Sequence, residues 1–171
     1  MGEILRMQNI SKIYGNGFVA NKDITFSVNE KEILALVGEN GAGKTTLMKI
    51  LFGMEQPQSG QIILEGKEVR FQNPIEAIAA GIGMVHQHFM QALSLTVAEN
   101  VVLGIEPTKG LCFDMEKAVR MTQEVSDRYD LRVEARARIC DLSIGQRQKV
   151  EIIKALVREA RILVLDEPTA V

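Results

Sequence analysis

A glycine-rich stretch that ends in lysine and threonine carries the clearest chemistry in this sequence. Residues 38–45 fit the pattern G-x-x-x-x-G-K-[ST] without a gap. The glycines let the backbone wrap closely enough for successive N–H groups to point at one anion, and a helix that follows adds the positive end of its dipole. We therefore predict that a polyphosphate binds here. The predicted contact residues are Gly38, Glu39, Asn40, Gly41, Ala42, Gly43, Lys44, Thr45 and Thr46.

Two side chains of this stretch have distinct predicted roles. Lys44 would reach the terminal phosphates as a point charge, and the Thr45 hydroxyl would coordinate a Mg²⁺ that bridges them. The alternative is an ordinary glycine-rich turn. Against it, the apolar run Ile33–Val37 precedes the stretch and the helix-like run Thr46–Phe52 follows it, which predicts the order strand, loop, helix.

An acidic pair near the end of the sequence is the second candidate for chemistry. Asp166 and Glu167 follow Ile162–Leu165, an all-apolar run that predicts a strand buried on both faces. Open α/β sheets bind ligands at the carboxyl edge of such strands. Asp166 would accept a hydrogen bond from a water of the Mg²⁺ shell, and Glu167 would orient or deprotonate the water that attacks the γ-phosphate. The alternative is a solvated acidic turn.

Length and composition limit the other possibilities. At 171 residues, with 46% apolar residues, the chain has room for one core and reads as one globular domain. A net charge of −2 argues against wrapping nucleic acid, so no nucleic-acid partner is expected. The N-terminus lacks a signal peptide and no run approaches the roughly 20 apolar residues of a membrane span, which predicts a cytosolic chain. Cys112 and Cys140 predict reduced, incidental thiols.

Strand patterns dominate the first half. Ile4–Ile10 and Ile24–Val28 predict antiparallel strands, and residues 61–69 predict a short hairpin. Asn73 followed by Pro74 predicts the start of a helix. Residues 83–85 then resume a strand. The loop between the first two strands holds Tyr14, which on local sequence is either a half-buried anchor or an aromatic that lies against a purine ring.

Helix patterns dominate residues 90–158. Thr96 with Glu99 and Ser143 with Gln146 form two capping boxes, and Asp114 can cap a third helix. We predict a single α/β domain with a mainly parallel sheet, an antiparallel N-terminal part and an inserted helical subdomain. The predicted α/β core covers about 1–89 and 159–171, and the helical subdomain covers about 90–158.

Taken in order, these motifs resemble the nucleotide-binding domain of an ATP-binding cassette (ABC) transporter. The resemblance rests on Gly38–Thr45, on Gln87 after a strand, on Leu142-Ser143-Ile144-Gly145-Gln146 and on Leu163–Thr169, and it covers the whole chain. The end Asp-Glu-Pro-Thr-Ala-Val and the segment Met84–Phe89 are similar to those of sugar and nucleoside importers.

The resemblance implies further roles for single residues. Tyr14 would stack on adenine, and Gln87 would contact Mg²⁺ and the attacking water. Ser143 and Gly145, with Gln146 beside them, would close over the γ-phosphate held by a partner domain. ATP would therefore act within a head-to-tail dimer. The stretch Leu142–Gln146 matches the family's signature motif, in which Ile144 stands where the commonest form has Gly. His86 and His88 lack the neighbouring ligands that a metal site needs.

The resemblance also implies an activity and a setting. The chain would be an ATP hydrolase that uses ATP and Mg²⁺ to power solute import at the cytoplasmic face of the cell membrane. Its partners would be transmembrane permease subunits, a second nucleotide-binding domain and, indirectly, a solute-binding protein. The family's switch histidine follows a further strand beyond the acidic pair, so we expect this chain to be a fragment that binds Mg-ATP weakly and turns over slowly.

Two alternatives stay open from the sequence. One is a soluble ABC ATPase that acts on ribosomes or nucleic acid. The other is a binding-only fragment with little or no turnover. No heptad array separates the motifs, which argues against the coiled-coil DNA-repair members of the first class.

Overall fold

The structure is a computed structural model that describes residues 2–86 and 89–166. The chain divides into two compact units, Met1–Ala80 and Gly81–Val171. The predicted α/β core draws on both units, so that partition stays a prediction. No helix in the described part of the chain is long and apolar enough to cross a membrane.

The first unit is built on a four-stranded antiparallel sheet. Its strands are β1 (Glu3–Ile13), β2 (Val19–Asn29), β3 (Ser59–Leu64) and β4 (Lys67–Val69), in the order β2-β1-β3-β4. The predicted N-terminal strands and the hairpin are confirmed. β3 turns into β4 through Glu65 and Gly66, whose φ values of 51° and 76° suit a tight hairpin turn.

Two helices complete the first unit. α1 (Lys44–Leu51) packs through buried Leu47, Ile50 and Leu51. α2 (Pro74–Ala79) begins where the sequence predicts, because the Asn73 side chain accepts a hydrogen bond from the Glu76 N–H at 3.1 Å.

The second unit combines a helical cluster with a short parallel sheet. Its elements are β5 (Ile82–Val85), α3 (Val97–Val102), β6 (Thr108–Lys109), β7 (Cys112–Phe113), α4 (Met115–Arg128), a 3-10 helix (Ile139–Asp141), α5 (Ile144–Val157) and β8 (Ile162–Leu165). The predicted caps of α3, α4 and α5 are all confirmed. The hairpin β6–β7 was not predicted, because two-residue strands are too short to show a periodic pattern.

The helical cluster has its own apolar core. α3, α4 and α5 surround fully buried residues, and one face of α4 buries Ala118, Thr122 and Ser126 at the spacing of a helix. The Ser126 hydroxyl also bonds both backbone groups of Val133, each at 3.0 Å. The core residues include Val97, Val101, Ala118, Val133, Ile139, Val150 and Ile153.

Parallel pairing in the described residues is confined to β5 and β8, which run in register from Ile82↔Ile162 to Val85↔Leu165. The α/β class is confirmed, although the antiparallel sheet is the larger one here. β8 is also less buried than its apolar run predicts. Val164 is 7% exposed, whereas Leu165 is 43% exposed.

The run Ile33–Val37, which the sequence predicts as a strand, is not one in this structure. Its ends are almost fully open, with Ile33 98% and Val37 93% exposed. A β-strand needs a neighbour for its backbone N–H and C=O groups. No strand of the described residues pairs with this run. The apolar pattern therefore indicates a segment suited to burial, but does not supply the partner that buries it.

Candidate functional site

The phosphate loop is held in a conformation that requires glycine. Gly41 and Gly43 have φ values of 83° and 87°, in the left-handed region that side chains disfavour. Inside the loop the Ala42 N–H donates to the Glu39 carbonyl at 3.1 Å. A Cβ atom on Gly43 would lie 2.0 Å from the Ala20 carbonyl oxygen. No other residue fits at Gly43 without moving the backbone.

Helix α1 begins directly after this glycine. Gly43 is its N-cap residue, and no side chain of the described residues caps it. The Gly43 carbonyl accepts the first helical hydrogen bond, from the Leu47 N–H at 2.9 Å. Acidic residues are also missing from the first turn. A helix start with this character is suited to bind an anion through its own N–H groups.

Lys44 places a positive charge at the same loop. Its Nζ donates to the carbonyl oxygens of Gly38 and Glu39, at 2.6 and 2.9 Å. The ammonium group therefore lies along the loop, where the oxygens of a phosphate could replace the two carbonyls. Glycine N–H groups, an uncapped helix start and a lysine form a set of donors that fits a polyphosphate.

Tyr14 lies beside the loop within the same unit. Its hydroxyl is 3.4 Å from the Thr46 Oγ1 at the start of α1. The Phe18 ring is stacked next to it, with 6.4 Å between ring centroids, and the Lys12 Nζ is 5.3 Å from the Tyr14 centroid. The structure therefore brings the predicted aromatic and the phosphate loop together. Stacking of adenine on Tyr14 stays a prediction.

The signature residues lie at the start of α5 in the second unit. The Ser143 Oγ accepts a hydrogen bond from the Gln146 N–H at 3.3 Å, and the Gln146 Oε1 accepts one from the Ser143 N–H at 3.0 Å. Ile144 is 53% exposed, and a Cβ on Gly145 would meet nothing within 4 Å. This turn is closed on itself by hydrogen bonds, yet its outer surface is open.

Asp166 follows β8 at the carboxyl edge of the parallel pair. Its N–H donates to the Val85 carbonyl at 3.1 Å, so Asp166 stands level with the end of β5. Gln87 and Glu167 lie outside the described residues. Thr45 belongs to the first unit and Asp166 to the second, so their joint role at Mg²⁺ stays a prediction. Among the described residues, no three His, Cys, Asp or Glu side chains form a candidate metal cluster.

Sequence reasoning missed the residues that support the loop from outside. Asn21 on β2 donates from its Nδ2 to the Gly43 carbonyl at 3.2 Å, and Phe18 flanks Tyr14. No spacing rule links residues on a strand to a loop that far along the chain. The exposed aromatic at Phe18, in the same loop as Tyr14, was the available signal for the second of these.

Comparison with known proteins decides the family. The model of the ABC transporter family matches residues 21–170. The chain belongs to the ABC transporter family. This confirms the resemblance that the order of the four motifs indicated.

Two curated relatives are named as import proteins. Over 171 residues the chain is 48% identical to the guanosine import ATP-binding protein NupO of Bacillus subtilis, covering 100% of this chain and 33% of that protein. Over 168 residues it is 48% identical to the nucleoside import ATP-binding protein NupA of Lactococcus lactis, covering 98% of this chain and 33% of that protein. The chain thus spans about a third of the length of these relatives.

Solved structures share the fold. An ATP-binding cassette of an ABC transporter in its ADP conformation matches with a TM-score of 0.86 and 29% identity, over 99% of this chain and 70% of that one. A nucleotide-free cassette matches with a TM-score of 0.85 and 28% identity, over 99% and 70%. The α/β fold of a phosphate-loop ATPase is therefore confirmed.

Proposed function

We propose that this chain is the ATP-binding part of a subunit that powers import of a sugar or nucleoside through an ABC transporter. The observation that carries the proposal is the phosphate loop at Gly38–Thr45, whose glycine conformations, uncapped helix start and Lys44 charge together fit ATP. The importer assignment is supported by the relatives, whose names describe guanosine, nucleoside and sugar import.

The residues of the first unit would hold the nucleotide. The N–H groups at the start of α1 and the Lys44 ammonium bind the phosphates, and Tyr14 packs against the base. Thr45, Gln87 and Asp166 would hold the Mg²⁺ that neutralises phosphate charge. Since the proposed phosphate contacts of the loop are backbone N–H donors and the Lys44 ammonium, the loop favours the ionised polyphosphate over a neutral ligand.

Hydrolysis needs a second cassette in this proposal. Glu167 orients or deprotonates the attacking water, and Gln87 contacts it. Ser143 and Gly145 from one domain close over the phosphate bound to the loop of another. The open surface of the α5 start supports this role, because Gly145 has no side chain and a Cβ there would meet nothing within 4 Å, while Ile144 is 53% exposed beside it. A single chain would therefore turn over ATP slowly.

The remaining partners follow from the importer assignment. Transmembrane permease subunits would hold the protein at the cytoplasmic face of the membrane, and a solute-binding protein would act through them. Solute specificity would belong to those other subunits.

Titration of the chain with ATP in the presence of Mg²⁺ tests the proposal. Lys44→Ala removes the ammonium, and a charge-assisted hydrogen bond of about 1.5–3 kcal/mol corresponds to about a tenfold to hundredfold loss of affinity. Lys49→Ala is the matched control, because Lys49 lies in the last turn of the same helix. It should bind as the parent chain does.

Two outcomes would contradict the proposal. One is a folded parent chain that does not bind Mg-ATP at any concentration tested. The other is equal binding by the Lys44→Ala and Lys49→Ala variants. Rapid ATP hydrolysis by the single chain at low protein concentration would contradict the requirement for a second cassette and leave the binding site itself in place.

A further inference from the structure

Asn21 connects the N-terminal sheet to the phosphate loop. It lies on β2, paired with Lys12 of β1, and is 5% exposed. Its Nδ2 donates a hydrogen bond to the Gly43 carbonyl at 3.2 Å. A buried side chain on the sheet therefore contacts the last glycine of the loop directly.

The carbonyl that Asn21 contacts is a junction in the fold. The Gly43 carbonyl also accepts the Leu47 N–H at 2.9 Å, the first hydrogen bond of α1. The backbone packs tightly here, since a Cβ on Gly43 would lie 2.0 Å from the Ala20 carbonyl oxygen and 2.7 Å from the Asn21 Nδ2. One carbonyl group thus joins β2, the loop and the first turn of the helix.

The amide oxygen of Asn21 lowers the stability of the fold. Its Oδ1 is buried and has no hydrogen-bond partner among the described residues. A buried, unpaired amide oxygen destabilises the folded state relative to an apolar side chain of similar size. Fold stability alone would therefore favour leucine at this position. What leucine cannot do is donate a hydrogen bond to Gly43.

We propose that Asn21 is a positioning residue for nucleotide binding. Its hydrogen bond holds Gly43 in the left-handed conformation, with a φ of 87°, and so fixes the direction of the N–H groups that open α1. Donors that are already oriented bind an anion more tightly, because ordering them on binding costs affinity. The inference rests on the proposed ATP binding at this loop.

Asn21→Leu tests the role with a neutral side chain of similar size. It removes both the donor and the unpaired oxygen. Loss of one hydrogen bond that orients the loop should weaken Mg-ATP binding about threefold to tenfold. The thermal midpoint should stay the same or rise. A merely structural role would lower the midpoint and leave the affinity unchanged.

Asn100→Leu is the matched control in the other unit. Asn100 is 1% exposed, and its side chain accepts from the Ala92 N–H at 2.8 Å and donates to the carbonyls of Ala92 and Thr96 at 3.1 and 2.9 Å. The same substitution there breaks three hydrogen bonds remote in sequence from the loop. It should lower the thermal midpoint and bind Mg-ATP as the parent chain does below that temperature.

Asn21→Asp is the second test variant and keeps the shape of the side chain. It replaces the donor with a carboxylate that faces a carbonyl and stands near the phosphates, so affinity should fall more than about tenfold. If Asn21→Leu fails to fold, this variant decides the question. Far-UV circular dichroism of each variant confirms that binding is compared between folded chains.

Failure of this inference and failure of the proposed function give different results. If both Asn21 variants bind Mg-ATP within twofold of the parent chain while Lys44→Ala loses binding, the positioning role is wrong and the ATP site stands. If the parent chain itself does not bind Mg-ATP, both proposals fall together.

Discussion

The starts of α1 and α5 carry the two halves of the proposed ATP site, and they are built in opposite ways. α1 follows a left-handed glycine, and no side chain of the described residues caps it. α5 follows Ser143, whose capping box with Gln146 satisfies N–H groups on both sides of the turn. The α1 start thus has no side-chain cap, whereas the α5 start is capped by its own side chains.

The difference lies in what fixes each backbone. The α1 start is held from outside, by close packing against Ala20 and by the hydrogen bond from Asn21. The α5 start is held by contacts between residues three positions apart. Substitutions should therefore damage α1 through steric conflict with the sheet and α5 through loss of a local hydrogen bond. The predicted losses in free energy of unfolding therefore differ in size between the two helix starts.

Gly43→Ala should have the largest effect. The new Cβ would conflict with the Ala20 carbonyl and require a disfavoured φ, so the free energy of unfolding should fall by about 3–5 kcal/mol and Mg-ATP binding should be lost. Chemical denaturation and titration with Mg-ATP measure the two effects.

Gly41→Ala is the control for that change. Gly41 has a similar φ of 83°, but a Cβ there would meet nothing within 4 Å. Only the backbone strain of about 1–2 kcal/mol should remain. Equal destabilisation by the two alanines would show that packing on β2 does not hold the α1 start.

Ser143→Ala should have a smaller effect, confined to stability. Loss of the cap should lower the free energy of unfolding by about 1 kcal/mol, a shift of about 2–4 °C in the thermal midpoint. Mg-ATP affinity of the single chain should not change, because the signature acts on a nucleotide held by another domain. Ser143→Thr keeps a hydroxyl and should restore most of the stability. Weaker ATP binding by the Ser143→Ala variant would contradict the claim that, in the single chain, only the α1 start binds the nucleotide.

The capping box of α3 allows the same comparison to be made as a function of pH, and its expected effect on stability is the smallest. Hydrogen bonds from the Thr96 N–H and then from its hydroxyl lower the pKa of Glu99 below the usual 4.5. A carboxylate whose pKa is lower in the folded state than in the unfolded state stabilises the fold at pH values above its unfolded-state pKa. This contribution is lost as the pH falls through the folded-state pKa. The box of α5 uses Gln146 and has no such carboxylate.

Thermal midpoints of the parent chain and Glu99→Gln measure this effect. The parent should be more stable at neutral pH, by no more than a few degrees, and the difference should shrink below pH 4.5 as Glu99 becomes protonated. A difference that stays constant down to strongly acidic pH would show that the Glu99 charge contributes nothing to the cap.

Local rules explain why the sequence predicted so much of the second unit. Caps join residues three apart, so Thr96, Asp114 and Ser143 could each be assigned from the chain itself. The phosphate loop was predictable for the same reason. Its glycines and Lys44 form one contiguous pattern; in the structure Gly41 and Gly43 have positive φ values and the Lys44 Nζ donates to the Gly38 carbonyl, while phosphate binding stays a prediction.

Long-range contacts explain what the sequence did not show. The bond from Asn21 to Gly43 joins a strand to a distant loop, and no motif contains both residues. The run Ile33–Val37 has the composition of a strand, but pairing depends on a neighbour that composition cannot reveal. The hairpin β6–β7 is a local contact around Gly110, whose φ is 66°, and it was missed for another reason: its two-residue strands are too short to show a periodic pattern.

Amide hydrogen exchange, followed by NMR with and without Mg-ATP, tests the central claim most directly. The claim is that the uncapped start of α1 is the preformed phosphate site. It predicts that Mg-ATP slows exchange at the amides of residues 43–46 and leaves the capped amides of Ser143 and Gln146 unchanged in the single chain. Bound Mg-ATP that protects neither the α1 start nor the rest of the loop would contradict it.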